Sequence, residues 1–436
     1  ERLDKVKQLA PLAQELGLAR GTIETAYSLL AAEGYIQARG QAGTIVTPDL
    51  RPQSPVACTK PSPARGMAAA SFRPDSILPF QMGLPALDAF PRKIWARLGA
   101  RCVRAMQPSD MAYPTACGLQ ELRTEIAAYL HVSRGIDCSP HQVFVTSGYR
   151  HTMVLIGHAM LKKGDRVWLE DPGYPHTRKM LEQMCMTAVP LPVDGGGMVI
   201  SDGLRAAARA RAAVVTPAHQ SPLCVTLSLP RRLALLDWAA RNDAWIIEDD
   251  YDGEYRYVSR PLPALKSLDR DGRVLYAGTF SKVLFPGIRL AYLVVPEAQV
   301  ERFEQVSEAF ATDGPQLTQA IVTAFMKEGH FARHIQRMRK LYAERRDATA
   351  AGLESVLGRY MRIDPQPGGM HLVMRLRGTR SDRQLARRMR DQGMRAEALR
   401  DCVMDGGGPS ALLLNFTNID SRQTAENLAQ RILRLL

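Results

Sequence analysis

Apolar residues recur along this chain with two different periods, and the change of period divides it. In 12-LAQELGLARGTIETAYSLLAAEGYIQARGQAGTIVTP-48, Leu12 and Leu16 mark one side of a short helix that Gly17 stops. A second helix starts near Ala19 and carries Ile23, Ala26, Tyr27 and Leu30 at helical spacing. YIQAR and TIV then read as two short strands around the glycines of GQAG, a hairpin. The order predicts a helix-turn-helix followed by a wing. Pro48, Pro52, Pro55, Pro61, Pro63, Pro74 and Pro79, with few large apolar residues before Phe72, predict a semi-stiff linker.

From about residue 80 the pattern becomes one of buried strands alternating with helices. QVFVTSG (142–148), RVWLEDPG (166–173), AAVVTPAHQ (212–220), AWIIEDDYD (244–252), RVLYAGTFSK (273–282) and RLAYLVVP (289–296) are apolar on both faces, and several end in polar residues. Such runs predict an α/β fold with a mainly parallel sheet covered on both sides, whose ligands collect beyond the carboxyl ends of the strands. After about residue 330, helical patterns and GGMHLVMRL predict a small α+β domain. The expected organisation is a DNA-binding head over 1–48, a linker over 49–79, a large domain over 80–329 and a small domain over 330–436.

Composition narrows the function classes. A chain of 436 residues has room for two or three domains, and 46% hydrophobic with 23% charged residues is an ordinary globular balance. No apolar run approaches about 18 residues and no basic-then-apolar leader opens the chain, so neither a membrane span nor a secretory signal is expected. The seven cysteines are scattered and never form CxxC. That fits reduced thiols in the cytoplasm and argues against a metal site. The net charge of +13 invites a nucleic-acid partner, yet residues 1–60 carry seven Lys/Arg against six acids. Most of the excess lies further on, where it can attract DNA or an anionic ligand or simply solvate a surface.

The chemistry centres on 278-GTFSKVLFPGIRLAYLVVP-296. A lysine at the carboxyl end of a buried strand is disfavoured as an ammonium, and the same desolvation makes it an imine-forming amine. Ser281 and Arg289 flank Lys282 with a hydroxyl and a cation for a phosphate. Asp249 ends another apolar strand 33 residues earlier, and Tyr251 follows it. The acid can keep a pyridine nitrogen protonated, and the tyrosine can bond a phenolic oxygen. Thr146-Ser147-Gly148 ends a strand and opens a helix, a place where backbone N–H groups receive an anion. Taken singly, Asp249 is an ordinary turn acid and Lys282 an ordinary surface lysine. Their joint occurrence at strand ends describes pyridoxal phosphate.

Two resemblances follow from these motifs. Helix, glycine turn, helix, Glu-Gly and hairpin resemble the winged helix of the GntR family of bacterial regulators, although the opening ERLDKVKQLAP departs from the additional helix which that family carries there. YPTACGLQELRTEIAAYL, VTSGYRH, EDPGYP, TPAHQSP, IIEDDYDGEY and GTFSKVLFPGIRLAYLV resemble fold-type I aminotransferases, in the branch fused to such a head, the MocR-type regulators. The resemblance implies Lys282 as the Schiff-base lysine, Asp249 on the pyridine nitrogen and Tyr251 on the phenolic oxygen. It implies Ser147, Gly148, Ser281 and Arg289 around the phosphate, with Tyr149 beside them and Tyr113 reaching in from the other subunit. Tyr174 would cover the ring, and His219 with Gln220 would lie beside it. Arg20, Gly21 and Thr22 would open the recognition helix, with Arg39 and Gln41 on or near the wing, against double-stranded DNA.

Two functional classes follow. One is a transcriptional regulator in which the aldimine of Lys282 senses pyridoxal phosphate or an amine or amino-acid effector, in a domain-swapped homodimer. The other is an aminotransferase with an accessory domain. Relatives that sense an amino acid can hold its carboxylate with arginines at two places where this chain has His176 and Asn418, with Arg178 nearby as a substitute. Neither an imidazole nor an amide reproduces the bidentate fork of arginine, so γ-aminobutyrate-like amino acids are expected to be poor effectors.

Overall fold

The computed structural model describes residues 9–40, 43–47, 77–257, 263–310, 314–364 and 368–436. The chain forms two compact units, 1–73 and 74–436. In the first, the helix Leu9–Leu16 is stopped by Gly17 in the left-handed conformation (φ +63°), where the Leu18 amide returns to the Ala13 carbonyl at 3.0 Å. The helix Arg20–Ala32 follows. Strands β1 (Ile36–Ala38) and β2 (Thr44–Val46) then pair antiparallel, with Ile36 opposite Val46. Among the described residues of this unit the buried apolar side chains are Ala13, Ile23, Ile36 and Ile45. Leu16 and Leu30, which the helical period assigns to the inner face, are exposed. Two short helices and a two-stranded hairpin have too little surface to cover both faces of each element. The expected linker, up to residue 76, and Gln41 lie outside the described residues.

The second unit is built on an eight-stranded sheet. Its strands are β3 (Val143–Thr146), β4 (Arg166–Asp171), β5 (Thr187–Asp194), β6 (Gly197–Met198), β7 (Ala212–Val215), β8 (Trp245–Asp250), β9 (Val274–Thr279) and β10 (Ala291–Val294), in the order β3-β10-β9-β8-β7-β4-β5-β6. The sheet is mixed: β10 runs antiparallel to β3 and β9, and β6 antiparallel to β5, while the other pairs are parallel. The connection from β9 to β10 holds no crossover helix, so the chain must return antiparallel. Alternate residues feed different cores. Val167, Leu169, Val214 and Ile247 join one apolar cluster, and Trp168, Ala213, Val215 and Ile246 join another, so both faces of the sheet are covered.

Strand β5 is absent from the sequence reading because TAVPLPVD carries two prolines. Its neighbour β6 meets only the end of β5, so most of one side of β5 has no ladder that a proline could interrupt. The C-terminal part forms a four-stranded antiparallel sheet of β11 (Met361–Ile363), β12 (His371–Leu376), β13 (Glu397–Ala398) and β14 (Ala411–Asn415), in the order β11-β12-β14-β13. The long helix His330–Leu357 and the helix Arg422–Leu433 pack with it around Tyr342, Leu353, Leu412, Leu414 and Ile432. Phe80 and Ala86 belong to this same core, and Phe80 bridges Asn415. The chain entering the unit is therefore anchored on its last sheet.

Trp168 is fully buried, stacks on Trp238 with ring centroids 3.9 Å apart and donates its indole N–H to the Ala207 carbonyl at 3.0 Å. Trp168→Ala should destabilise this unit by about 3–5 kcal/mol, read as a lower urea midpoint with little change in the slope.

Candidate functional site

The residues after β9 build a turn whose core side supports a polar side. Val283 and Leu284 are buried, and the Val283 carbonyl is held by His334 Nε2 at 2.9 Å. The Lys282 carbonyl accepts from the Tyr255 hydroxyl at 3.3 Å. With its backbone fixed, Lys282 donates from Nζ to the Gly83 carbonyl at 2.9 Å. Gly83 has φ +78°, a conformation that favours glycine, and a Cβ there would lie 2.5 Å from Nζ and displace the amine. Burial lowers the proton affinity of Lys282, while Asp252, Asp249 and Glu397 oppose that shift.

The acids of EDDYDGE divide their work. Glu248 accepts from the Leu265 and Lys266 amides at 2.8 Å each. Asp250 and Glu254 bind the buried Arg134 at 2.6 and 3.0 Å. Asp249 lines the cavity beside Tyr149 and Lys282, and among the described residues no ion pair holds it. Its carboxyl is pushed up to about 8, by burial first and then by Asp250 and Glu170, with Lys282 opposing. It is therefore an acid that keeps its proton at neutral pH until a cation arrives.

Tyr251 lies over a second layer. His219 Nδ1 is 3.1 Å from the Tyr251 hydroxyl and from both carboxylate oxygens of Asp252. Burial lowers the imidazole's proton affinity, but Asp252 outweighs it, and His219 is held cationic. Gly369, at φ +86°, leaves the space that the His219 ring occupies. Behind it, the Cys224 sulfur is 3.2 Å from His371 Nε2, and the two imidazoles draw its thiol down to about 7 against burial.

On another wall, Gly148 (φ +109°) opens the helix Tyr149–Met160, and the Arg289 guanidinium sits 3.2 Å from where a Gly148 Cβ would be. A cation over a helix N-terminus, with the Ser281 hydroxyl on the same cavity, forms an anion cup. The cavity measures about 650 Å³. It gathers Lys282, Asp249, Tyr251, Tyr149, Tyr174, Ser281, Arg289 and His176. An imine-forming amine, a buried acid awaiting a cation, a tyrosine hydroxyl and this cup fit the carbonyl, ring nitrogen, phenolic oxygen and phosphate of pyridoxal phosphate.

Other expected residues lie elsewhere. Ser147 does not line the cavity; its amide donates to His151 Nδ1 at 2.9 Å. His219 touches Tyr251 from behind and lines a small separate cavity. Gln220 is fully buried and ties Glu170 to the Pro172 and Ser221 carbonyls. Arg178 pairs with Glu182 at 2.9 Å in an adjoining pocket, and Asn418 donates to the Pro85 carbonyl at 3.1 Å. Tyr113 is fully exposed. Arg20, Gly21, Thr22 and Arg39 are exposed in the other unit. The cavity also contains Gly83, Arg150, His371, Glu397 and Asn415, none of which sequence reasoning selected. Asn415 had a signal, a polar residue closing the apolar run LLLN, three positions before the residue chosen. Glu397, in the mixed stretch RAEALR, had none.

The aminotransferase class I and II family model matches residues 84–432. The probable rhizopine catabolism regulatory protein MocR of Rhizobium meliloti is 36% identical over 428 residues, which span 96% of this chain and 86% of that protein. Among solved structures, an archaeal alanine:glyoxylate aminotransferase aligns with a TM-score of 0.76 at 27% identity, over 83% of this chain and 91% of its own. The α-aminoadipate aminotransferase of Thermus thermophilus, complexed with N-(5'-phosphopyridoxyl)-L-leucine, aligns with a TM-score of 0.73 at 27% identity, over 83% and 94%.

A carboxyl whose pKa is raised on folding takes up its proton more readily in the folded state. Its contribution therefore falls as pH rises from the ordinary carboxylate range towards about 8. In cofactor-free protein, Asp249→Asn should gain stability over the parent by about 1 kcal/mol for each pH unit across that window, and match it near pH 4. Denaturant titrations of both proteins at several pH values check this.

Proposed function

The chain belongs to the aminotransferase class I and II family, in the branch of the MocR-type regulators, and from that membership we propose how it works: as a pyridoxal-phosphate-dependent transcriptional regulator that senses the cofactor or an amine in the cavity of one unit and reads DNA with the other. The observation that carries this reading is the convergence of Lys282, Asp249, Tyr251 and Arg289 on one cavity, in a chain whose other unit is two helices and a hairpin.

Pyridoxal phosphate, when bound, supplies an electrophilic carbonyl to which amines add covalently. Lys282 is the protein's own amine for it, and desolvation shifts its Nζ towards the neutral, nucleophilic form. Asp249 is the counter-ion for the ring nitrogen. Tyr251 offers its O–H to the phenolic oxygen, because the cationic His219 directs its Nδ1–H towards Asp252 and the Tyr251 oxygen and leaves the tyrosine's own hydrogen for the cavity. Arg289 and Ser281 would hold the phosphate together with the amides that open the helix at Tyr149. Tyr174, 44% exposed on the cavity wall, would shield the ring from solvent. Tyr113 is fully exposed, which suits a residue lent to a second subunit of a homodimer.

In the other unit Arg20, Gly21 and Thr22 lie on the first turn of their helix with exposed side chains, and Arg39 is exposed at the end of β1. This arrangement supports insertion of the helix into a major groove with the hairpin against the backbone. The second reading, an aminotransferase with an accessory domain, is favoured by the completeness of the cofactor set, and transaminase half-reactions are compatible with the regulator.

With added cofactor the protein should absorb in the visible range and be fixed by borohydride, and Lys282→Ala should lose both properties. A colourless parent protein overturns the cofactor reading, and steady turnover without DNA affinity overturns the regulator. Arg20→Ala and Arg39→Ala should each weaken binding to the upstream DNA and reduce the salt slope by about 1, measured by fluorescence anisotropy over a salt series.

A further inference from the structure

The charges around the cavity do not balance once the cofactor is assigned. Its charged walls are Arg150, Asp249, Lys282, Arg289 and Glu397. Resting on the reading above, Lys282, Asp249 and Arg289 are committed to the carbonyl, ring nitrogen and phosphate. Arg150 is exposed and stands 3.1 Å from His176, whose imidazole is kept neutral by burial and by Arg150 itself. Glu397 remains. It begins β13, the edge strand of the C-terminal sheet, pairing with Leu413 of β14, which also lines the cavity.

Glu397 is exposed, its side chain lines the open cavity, and among the described residues no hydrogen bond or ion pair holds its carboxylate. Burial raises its proton affinity, against the pull of His371, Arg395 and Lys282. Lys282 and Tyr174 both feel its charge, so it lies within electrostatic reach of the reacting amine and of the aromatic cover. An unpaired carboxylate on the cavity wall repels an anionic group on a ligand and binds a cationic one through a charge-assisted hydrogen bond.

We propose that Glu397 is the effector-selecting residue of this cavity, and that the effector is an amine bearing a second cationic group, a diamine or a basic amino acid. The first amine meets the cofactor and the second meets Glu397. The carboxylate of a basic amino acid would face Arg150.

The test uses the full chain loaded with pyridoxal phosphate and three probes of matched length: 1,4-diaminobutane, 1-aminobutane and 4-aminobutanoate. Each is titrated while the visible absorbance of the bound cofactor is followed. The diamine should reach half-saturation at about a tenfold lower concentration than the monoamine, and 4-aminobutanoate should be the weakest. Glu397→Gln should bring diamine and monoamine within about twofold of each other, and Glu397→Lys should move 4-aminobutanoate ahead of the diamine. Because the readout is a ratio within each protein, a general loss of affinity does not imitate it. A cofactor band with no preference for the diamine, or a preference that survives Glu397→Gln, overturns the assignment of Glu397 and leaves the cofactor site standing. A parent protein that never acquires the band overturns both.

Discussion

The ion pairs of Arg134 with Asp250 and Glu254, all three side chains nearly inaccessible to water, hold the polar end of β8 in place. Buried charges are tolerated only when fully partnered, and here the Tyr276 hydroxyl adds a bond to Asp250 at 2.6 Å and the Tyr129 hydroxyl one to Glu254 at 3.0 Å. Removing Arg134 would leave two carboxylates in an apolar surround, a loss of about 3–5 kcal/mol. The geometric effect matters as much. Residues 250 and 254 are clamped on one side of the turn, so 249 and 251 are presented to the cavity on the other. An apolar pair of similar volume could hold the strand, but it would not raise the proton affinity of Asp249 as Asp250 does.

A further layer acts on the same turn from the outside. Glu170, whose proton affinity burial lifts to about 7, accepts from the Thr216 hydroxyl at 2.5 Å and from Gln220 at 3.3 Å. Gln220 also accepts the Leu223 amide at 2.9 Å, so the loop carrying His219 is stitched to β4 and β7 by side chains. That stitching brings His219 to Tyr251, and it leaves Cys224 at φ +62° between two imidazoles. A non-glycine residue in this conformation is strained, and the surrounding hydrogen bonds maintain it.

The strand-and-helix frame was readable because apolar runs ending in charged residues admit few other folds. Lys282, Asp249 and Tyr251 stood out for the same reason, since each is a polar residue at the end of a segment that should be buried. Other features escaped for physical reasons. Strand β5 hides behind its prolines. His219 reaches the site through another side chain, and spacing along a chain does not report such relays. Asn415 rather than Asn418 lines the cavity because pairing with β12 and Phe80 sets which residue of NFTN is presented there, and the sequence does not display that pairing. Glu397 reaches the site on an edge strand from a different sheet, a meeting that only tertiary structure creates. In the small unit the helical period overstates burial, because the described helices and hairpin cover only part of one another.

Asn415 also has a mechanical meaning. Its Nδ2 donates to the Gln81 and Leu84 carbonyls at 2.9 Å each, clamping the stretch in which the Gly83 carbonyl accepts the lysine's proton. When the amine is engaged elsewhere, that part-buried carbonyl loses its donor, at a cost below the roughly 1–3 kcal/mol of a fully buried unmatched acceptor. The clamp prevents Gly83 from relaxing alone, so the strain must pass to β14 or be met by a water or a ligand atom. The lysine's choice of partner is therefore registered first on Asn415 and the end of β14 that carries it.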